Sequence, residues 1–182
     1  TDPNVPLATR MRPKALAEFW GQEHLLGEGR LLRNLIQAVR LHSLIFYGPP
    51  GTGKTSLGHI IARTTASPIR FLNATEAAVK DLREVTAQAQ ELKNLEKKRL
   101  ILFLDEIHRF NRGQQDVLLP AVEAGVFCLI GATTLNPFFV LNGPLLSRSQ
   151  IFEFKALSDE ALVSILRQAL SDPKRGLGAL KI

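Results

Sequence analysis

The eight residues GPPGTGKT, positions 48–55, constrain this chain more than any other stretch of it. They follow an apolar run, SLIFY, and lead into SLGHIIARTT, whose apolar residues recur at helical spacing. The stretch fits G-x-x-x-x-G-K-[ST] in the setting that gives the pattern meaning: strand, loop, helix. Glycines at 48, 51 and 53 let the backbone curl until its N–H groups converge on phosphate oxygens, beside the positive end of the helix dipole. Lys54 then reaches toward the β- and γ-phosphates, and the Thr55 hydroxyl toward Mg²⁺. A glycine-rich turn with a chance lysine is the plainer alternative, and motif and setting together leave it little weight.

A strand that delivers such a loop needs neighbours, and the chain supplies them as short apolar runs. They are SLIFYG (43–48), IRFLNA (69–74), LILFLDE (100–106), VFCLIGATT (126–134) and SQIFEF (149–154). Continuous rather than alternating apolar runs predict strands covered on both faces, as in a parallel sheet. Helical patterns lie between them at roughly 54–65, 76–94 and 112–124. The expectation is an α/β fold with a five-stranded parallel sheet sandwiched by helices. The three segments are 1–42, an N-terminal linker with a loop at Pro13 and two helices that belong to the core; 43–156, the phosphate-loop core itself; and 157–182. The last opens with Ser158 as an N-cap, and its helix has an apolar face that no later element covers. It reads as the start of a truncated second, helical domain.

Composition narrows the partners only a little. At 182 residues and 45% hydrophobic content, the chain can bury one good core. The net charge of +6 permits an anionic partner without establishing one, because the basic residues are dispersed. The densest cluster, EKKR (96–99), reads on its own as a solvated connection before a buried strand. Cys128, the single cysteine, cannot form an internal disulfide, and it reads as a buried thiol in a reducing cytoplasm. No apolar run approaches the roughly 20 residues of a membrane span, and the N-terminus shows no signal-peptide pattern.

LILFLDEIH supplies the second half of the chemistry. An apolar strand ending in Asp105 and Glu106 puts one carboxylate near the Mg²⁺, acting mostly through water. The next carboxylate lies beside the γ-phosphate, where it serves as general base. Hydrolysis, and not binding alone, is the expected activity. Asn73, ending the adjacent strand, either holds Glu106 away from the water until a partner binds or is a plain strand-end turn residue. Thr134 is the candidate to contact the γ-phosphate or the lytic water, with Thr133 pointing the other way if the pleat continues.

In order, RMRPKALAEFWGQ, GPPGTGKT, FLDEIHRFNRGQQD, GATT and LLSR resemble the AAA+ ATPases, in particular their clamp-loader branch. DEIHRFNRGQQDVLLPAVEAG, IGATTLNPFF, LNGPLLSR and DPKRGLG are similar to the RarA/MgsA family (replication-associated recombination protein A) and its Werner-helicase-interacting relatives. The likeness runs from Leu7 to Gly178. It implies that Arg12 and Pro13, with FWGQ, line an adenine pocket. It implies that Gly48, Pro49, Pro50, Gly51, Thr52, Gly53, Lys54, Thr55 and Ser56 bind phosphate, and that Thr134 is the first sensor. Arg148 is then an arginine finger acting on a neighbouring subunit, exposed and idle in a lone chain. Leu135 departs from the family, which often carries an acid there, and the second sensor belongs to a lid that this chain only begins.

The same resemblance implies ATP with Mg²⁺, a homo-oligomer, and DNA ends, gaps or forks as the object of replication, recombination and repair work. It also implies partners such as single-strand-binding protein, in the bacterial cytosol and nucleoid. Two other classes compete. A protein-remodelling ATPase typically offers an aromatic and glycine loop after its second strand, and NATEAAVKDLREV has neither. A nucleotide-binding subunit without turnover is disfavoured because Lys54, Thr55, Asp105 and Glu106 are all present. Lys80 and Arg83, one helical turn apart, could track a phosphate backbone or be solvated charges paired with Asp81 and Glu84.

Overall fold

The computed structural model describes residues 4–179, so the outermost ends of the two flanking segments, 1–3 and 180–182, lie outside the described residues. The five expected strands form: β1 (Ser43–Tyr47), β2 (Ile69–Asn73), β3 (Leu100–Asp105), β4 (Phe127–Thr133) and β5 (Ser149–Glu153). They make one sheet in the order β2-β3-β4-β1-β5, with every pairing parallel.

Sequence dictates which faces are covered. In β1, Leu44 and Phe46 join one core cluster while Ile45 joins the other; in β3, Ile101 and Phe103 oppose Leu100, Leu102 and Leu104. This period of two, with apolar residues at every step, is what a strand buried on both sides requires. One layer packs α3 (Leu31–Gln37) and α4 (Lys54–Thr64) on the sheet, through Leu32, Ile36, Leu57, Ile60 and Ile61. The other packs α5 (Val79–Leu95) and α6 (Arg112–Glu123), through Leu82, Val85, Ala89, Leu118 and Ala121. Full coverage is confined to β1, β3 and β4. The edge strands β2 and β5 keep exposed residues, among them Arg70, Phe71 and Gln150, because each lacks a neighbour on one side.

Shorter elements complete the chain: α1 (Leu7–Arg10), α2 (Glu23–Leu26) and a 3-10 turn, Leu16–Glu18, before β1. The N-terminal helices pack into the core, where Leu25, Leu26 and Leu41 share a cluster with α4 and Phe154. Between β4 and β5 the chain forms two short helices that hydrophobic periodicity missed, α7 (Pro137–Val140) and α8 (Gly143–Ser147). Asn136 and Asn142 cap them by accepting from the N–H groups of Phe138 and Leu145, and Pro137 and Pro144 sit in the first turns. The final helix, α9 (Asp159–Ser171), is capped by Ser158 as expected and leaves Leu162, Val163, Leu166 and Leu170 exposed.

Cys128 is buried in β4, where its Sγ donates to the His42 carbonyl. Burial pushes its pKa up to about 12, so it is an inert thiol. Among the described residues no helix is long and apolar enough to cross a membrane.

One close approach seats α4. A Cβ added at Gly58 would lie 2.5 Å from Cδ2 of Phe103, which is fully buried and has no room to swing. Replacing a mid-helix glycine by alanine ordinarily gains about 0.5–1 kcal/mol, whereas overpacking a core costs about 1–3 kcal/mol. We therefore expect Gly58→Ala to lose about 1–2 kcal/mol of unfolding free energy in urea titration; a stabilised variant would refute the tight helix–sheet contact.

Candidate nucleotide site

Three strand ends build the site. The loop 48–53 leaves the C-terminal end of β1, Asp105 ends β3, and Thr134 follows β4. The loop's shape depends on glycine at two kinds of position. Gly51 and Gly53 have φ of 74° and 97°, a region costly for residues bearing a Cβ. Gly48 lies so close to β5 that an added Cβ would fall 2.1 Å from the Phe154 carbonyl oxygen.

The loop leads straight into α4, whose first turn carries no acidic residue and no side-chain cap. Its amides are left for an anion. Lys54 is buried, and its Nζ donates to the carbonyls of Gly48 at 2.8 Å and Pro49 at 2.7 Å. Burial pulls its pKa below the ordinary lysine value, while the carboxylates of Asp105 and Glu106 oppose that shift.

A cavity of about 330 Å³ gathers Pro50 to Ser56 with Asp105, Glu106 and Thr134. A second, of about 300 Å³, lies across the same loop and is lined by Arg12, Pro13, Phe19, Trp20, Leu157 and Ile165. Gly51, Thr52, Gly53 and Ser56 line both cavities, giving one polar chamber and one largely apolar chamber astride a single loop. Phosphates suit the first and a purine ring the second. Arg12 packs beside this wall with a nitrogen 2.9 Å from His59 Nε2, and the His59 ring stacks on Phe71 with centroids 4.2 Å apart. Burial, then the charges of Arg12 and Arg63, lower the His59 pKa, so the imidazole is neutral and accepts from Arg12.

Glu106 occupies the left-handed region, at φ 53° and ψ 38°, and its N–H is held by Asp105 Oδ1 at 3.0 Å. Such a conformation in a residue other than glycine costs roughly 1–3 kcal/mol. It turns the chain sharply into a 3-10 turn, Ile107–Arg109, and seats Ile107 in the core. His108 Nε2 then meets Glu106 Oε2 at 3.1 Å.

Thr133 and Thr134 part company at the end of β4. Thr134 lines the phosphate cavity, whereas Thr133 is buried and meets His108 Nδ1 at 2.9 Å. Asn73 pairs in register with Asp105, but its Oδ1 accepts from the Thr75 N–H and hydroxyl, at 2.9 and 2.8 Å. These bonds form a strand-end turn through the carboxamide oxygen, and the hydrogen-bond partner of the Glu106 side chain is His108. Sequence reasoning overlooked His108, although DEIH placed it two residues beyond the glutamate.

Gln22, the last residue of the FWGQ segment, makes contacts that the sequence did not foretell. Buried and left-handed at φ 63°, it donates through Nε2 to the Lys155 carbonyl at 2.7 Å and to the Thr52 carbonyl at 3.4 Å, and accepts the Lys155 N–H at 2.9 Å. It ties the phosphate loop to the chain leaving β5.

Arg148 stands at the opposite edge of the sheet, one residue before β5 begins. Strands of five to seven residues at about 3.3 Å each separate it from the phosphate loop by about 15–20 Å, so it cannot reach its own site. It is half-exposed but not idle: its guanidinium pairs with Glu123 and donates to the Pro144 carbonyl at 2.9 Å. Lys80 and Arg83 are exposed on α5, and Asp81 caps that helix by accepting the Ala78 N–H.

A phosphate loop, a strand-end Asp-Glu pair and a threonine ending a third strand, on a sheet of this order, define a P-loop ATPase domain of the AAA+ class. Comparison carries this further: the chain belongs to the family described as the Holliday junction DNA helicase RuvB P-loop domain, which matches residues 11–134. It is 47% identical over 95% of its length to replication-associated recombination protein A of Haemophilus influenzae, and 48% identical over 97% to that of Escherichia coli K12. To ATPase WRNIP1 of Dictyostelium discoideum it is 48% identical over 91%. These alignments cover 39%, 39% and 19% of the three relatives, so the chain spans about two-fifths of the bacterial ones. Among solved structures, the Thermotoga maritima RuvB Holliday junction branch migration motor superposes with a TM-score of 0.71 at 32% identity, covering 89% of this chain and 54% of that one. The likeness to the RarA/MgsA family read from the motif order holds along nearly the whole sequence.

Gln22→Ala strips partners from the N–H and carbonyl of Lys155, which is itself exposed, so water recovers part of the loss. The expected cost is about 1–2 kcal/mol in chemical denaturation; no measurable change would show that the tie to the phosphate loop is dispensable.

Proposed function

We propose that this chain is the ATP-hydrolysing core of an oligomeric AAA+ ATPase that acts on DNA in replication-fork maintenance, recombination and repair. The observation that carries the reading is the convergence of Lys54, Thr55, Asp105, Glu106 and Thr134 on one cavity. Bound ATP lays its phosphates along the loop amides, and Lys54 exchanges the carbonyls of Gly48 and Pro49 for phosphate oxygens. Glu106 orients a water and takes its proton as the water attacks the γ-phosphorus. Thr134 holds the γ-phosphate end, and Arg12, Pro13 and the Phe19–Trp20 wall hold the base.

The donor set fits Mg²⁺. The Thr55 hydroxyl and Asp105 carboxylate are hard oxygens in the same cavity, and no cluster of three or more His, Cys, Asp or Glu side chains stands ready as a metal cage among the described residues. An ion held by one carboxylate, one hydroxyl, water and the substrate's own phosphates is the usual magnesium arrangement. When bound, it neutralises charge on the phosphate oxygens.

Arg148, at the far edge of the sheet, supplies its charge to a neighbouring subunit's γ-phosphate, which makes assembly a condition of turnover. The segment from α9 onward begins a lid, and its exposed leucines are the face that further helices cover. Lys80 and Arg83 offer the exposed cationic pair for a nucleic-acid backbone. The DNA role itself draws on the likeness to relatives named for replication-associated recombination.

Two measurements on the full-length protein test this. ATP turnover should rise with gapped, forked or single-stranded DNA; a rise with unfolded protein and with no DNA would favour the remodelling class. Subunits carrying Arg148→Ala and subunits carrying Glu106→Gln should each be at least about 100-fold slower than wild type. Mixing the two should restore a measurable fraction of turnover, because one supplies the base and the other the arginine at a shared interface. Failure to recover, with mixed oligomers demonstrated, would overturn action in trans.

A further inference from the structure

We propose that His108 is a positioning residue for hydrolysis, fixing the Glu106 carboxylate by one oxygen and tying it to the end of β4 through Thr133. The inference rests on the reading of Glu106 as the base.

The direction of the hydrogen bonds follows from the Glu106 carboxylate, which only accepts. Thr133 Oγ1 accepts the Leu135 N–H at 3.0 Å, and its hydroxyl has one proton to give. With a neutral imidazole, the base carboxylate of Glu106 can only accept, so the ring proton lies on Nε2 and Nδ1 accepts the Thr133 hydroxyl proton at 2.9 Å. Nε2 faces Glu106 Oε2 at 3.1 Å and donates to it. With a cationic imidazole, Thr133 accepts from both sides and Nε2 still donates. In either state the carboxylate is held by Oε2, and Oε1 is left for the water.

The chain is well anchored. Thr133 is 1% exposed, and the His108 side chain is 9% exposed. Ile107, fully buried, wedges against Gly131 of β4, where an added Cβ would meet Ile107 Cδ1 at 2.8 Å. The left-handed turn at Glu106 brings His108 back beneath the carboxylate.

Position in the strand gives the relay its use. Thr134, the residue after Thr133, lines the phosphate cavity. The strand end that touches the γ-phosphate and the one that orients the base are thus the same piece of backbone, so its seating on ATP sets the carboxylate for attack.

The test compares His108→Phe, His108→Gln and Thr133→Val in the full-length protein, with Glu106→Gln as reference, reading kcat and nucleotide Kd separately. His108→Phe should lower kcat about 10- to 100-fold, as a misplaced catalytic group does, with Kd within about 3-fold of wild type. His108→Gln, which keeps an N–H donor, should recover most of the rate, and Thr133→Val should lose several-fold. Adding His108→Phe to Glu106→Gln should cost nothing further, since both act on one group. A His108→Phe enzyme within about 3-fold of wild-type kcat, or one whose loss is shared equally by Kd and not recovered by Gln, would overturn the assignment. If wild type does not turn over ATP, or Glu106→Gln is fully active, the hydrolytic reading fails first and by a separate signature.

Discussion

Everything at this site depends on how tightly the loop after β1 is wedged between the strands on either side. Gly48 donates its N–H to the Thr133 carbonyl on β4, and its Cα faces the Phe154 carbonyl at a distance that admits no side chain. Phe154 N–H in turn bonds to Tyr47. The three strand ends are therefore locked in register before any ligand arrives, and the loop has one way to leave the sheet. Gln22 repeats the lock from outside, by gripping Lys155 and Thr52. A preformed cradle of backbone donors needs little ordering when a phosphate binds, which is where affinity in such sites originates.

The parallel sheet also makes the domain polar. All strands run the same way, so the phosphate loop, the carboxylates and Thr134 collect at one edge, and His42, Arg99 and Arg148 at the other. Strand length keeps the two edges apart. The parallel sheet thus keeps Arg148 a full strand length from the phosphate loop of its own chain.

How much of this could be read from residues alone differs by element. The central strands were legible as nearly uninterrupted apolar runs, and the main helices as 3.6-residue apolar stripes between them. The phosphate loop and the Asp105-Glu106 pair were legible because spacing alone defines them. What escaped were contacts made by side chains remote in sequence. Gln22 meets Lys155 across 133 positions, and its left-handed backbone gives no warning in a glutamine. His108 looked like part of a motif's wording, since nothing local shows that Thr133 lies beneath it. The edge strand β2 escaped in a different way: IRFLN carries Arg70 in its run, and its place at the edge of the sheet leaves Phe71 exposed as well. α7 and α8 carried a signal in their Asn-Pro and Asn-Gly-Pro starts, which speak through capping and not through periodicity.

The pairing of Arg148 with Glu123 bears on whether a lone subunit is actively restrained. Both side chains are nearly half exposed, at 40% and 47%, and an ion pair so wet is worth about 0–1 kcal/mol. An arginine acting on a transferring phosphoryl group is worth 10³-fold or more in rate, about 4 kcal/mol. That larger figure is stabilisation of the transition state, and on the proposed role in trans the wet pair with Glu123 takes at most about 1 kcal/mol from it. On that reading the pair orients the guanidinium at little cost to its release, and turnover waits on a second subunit at the edge where Arg148 stands.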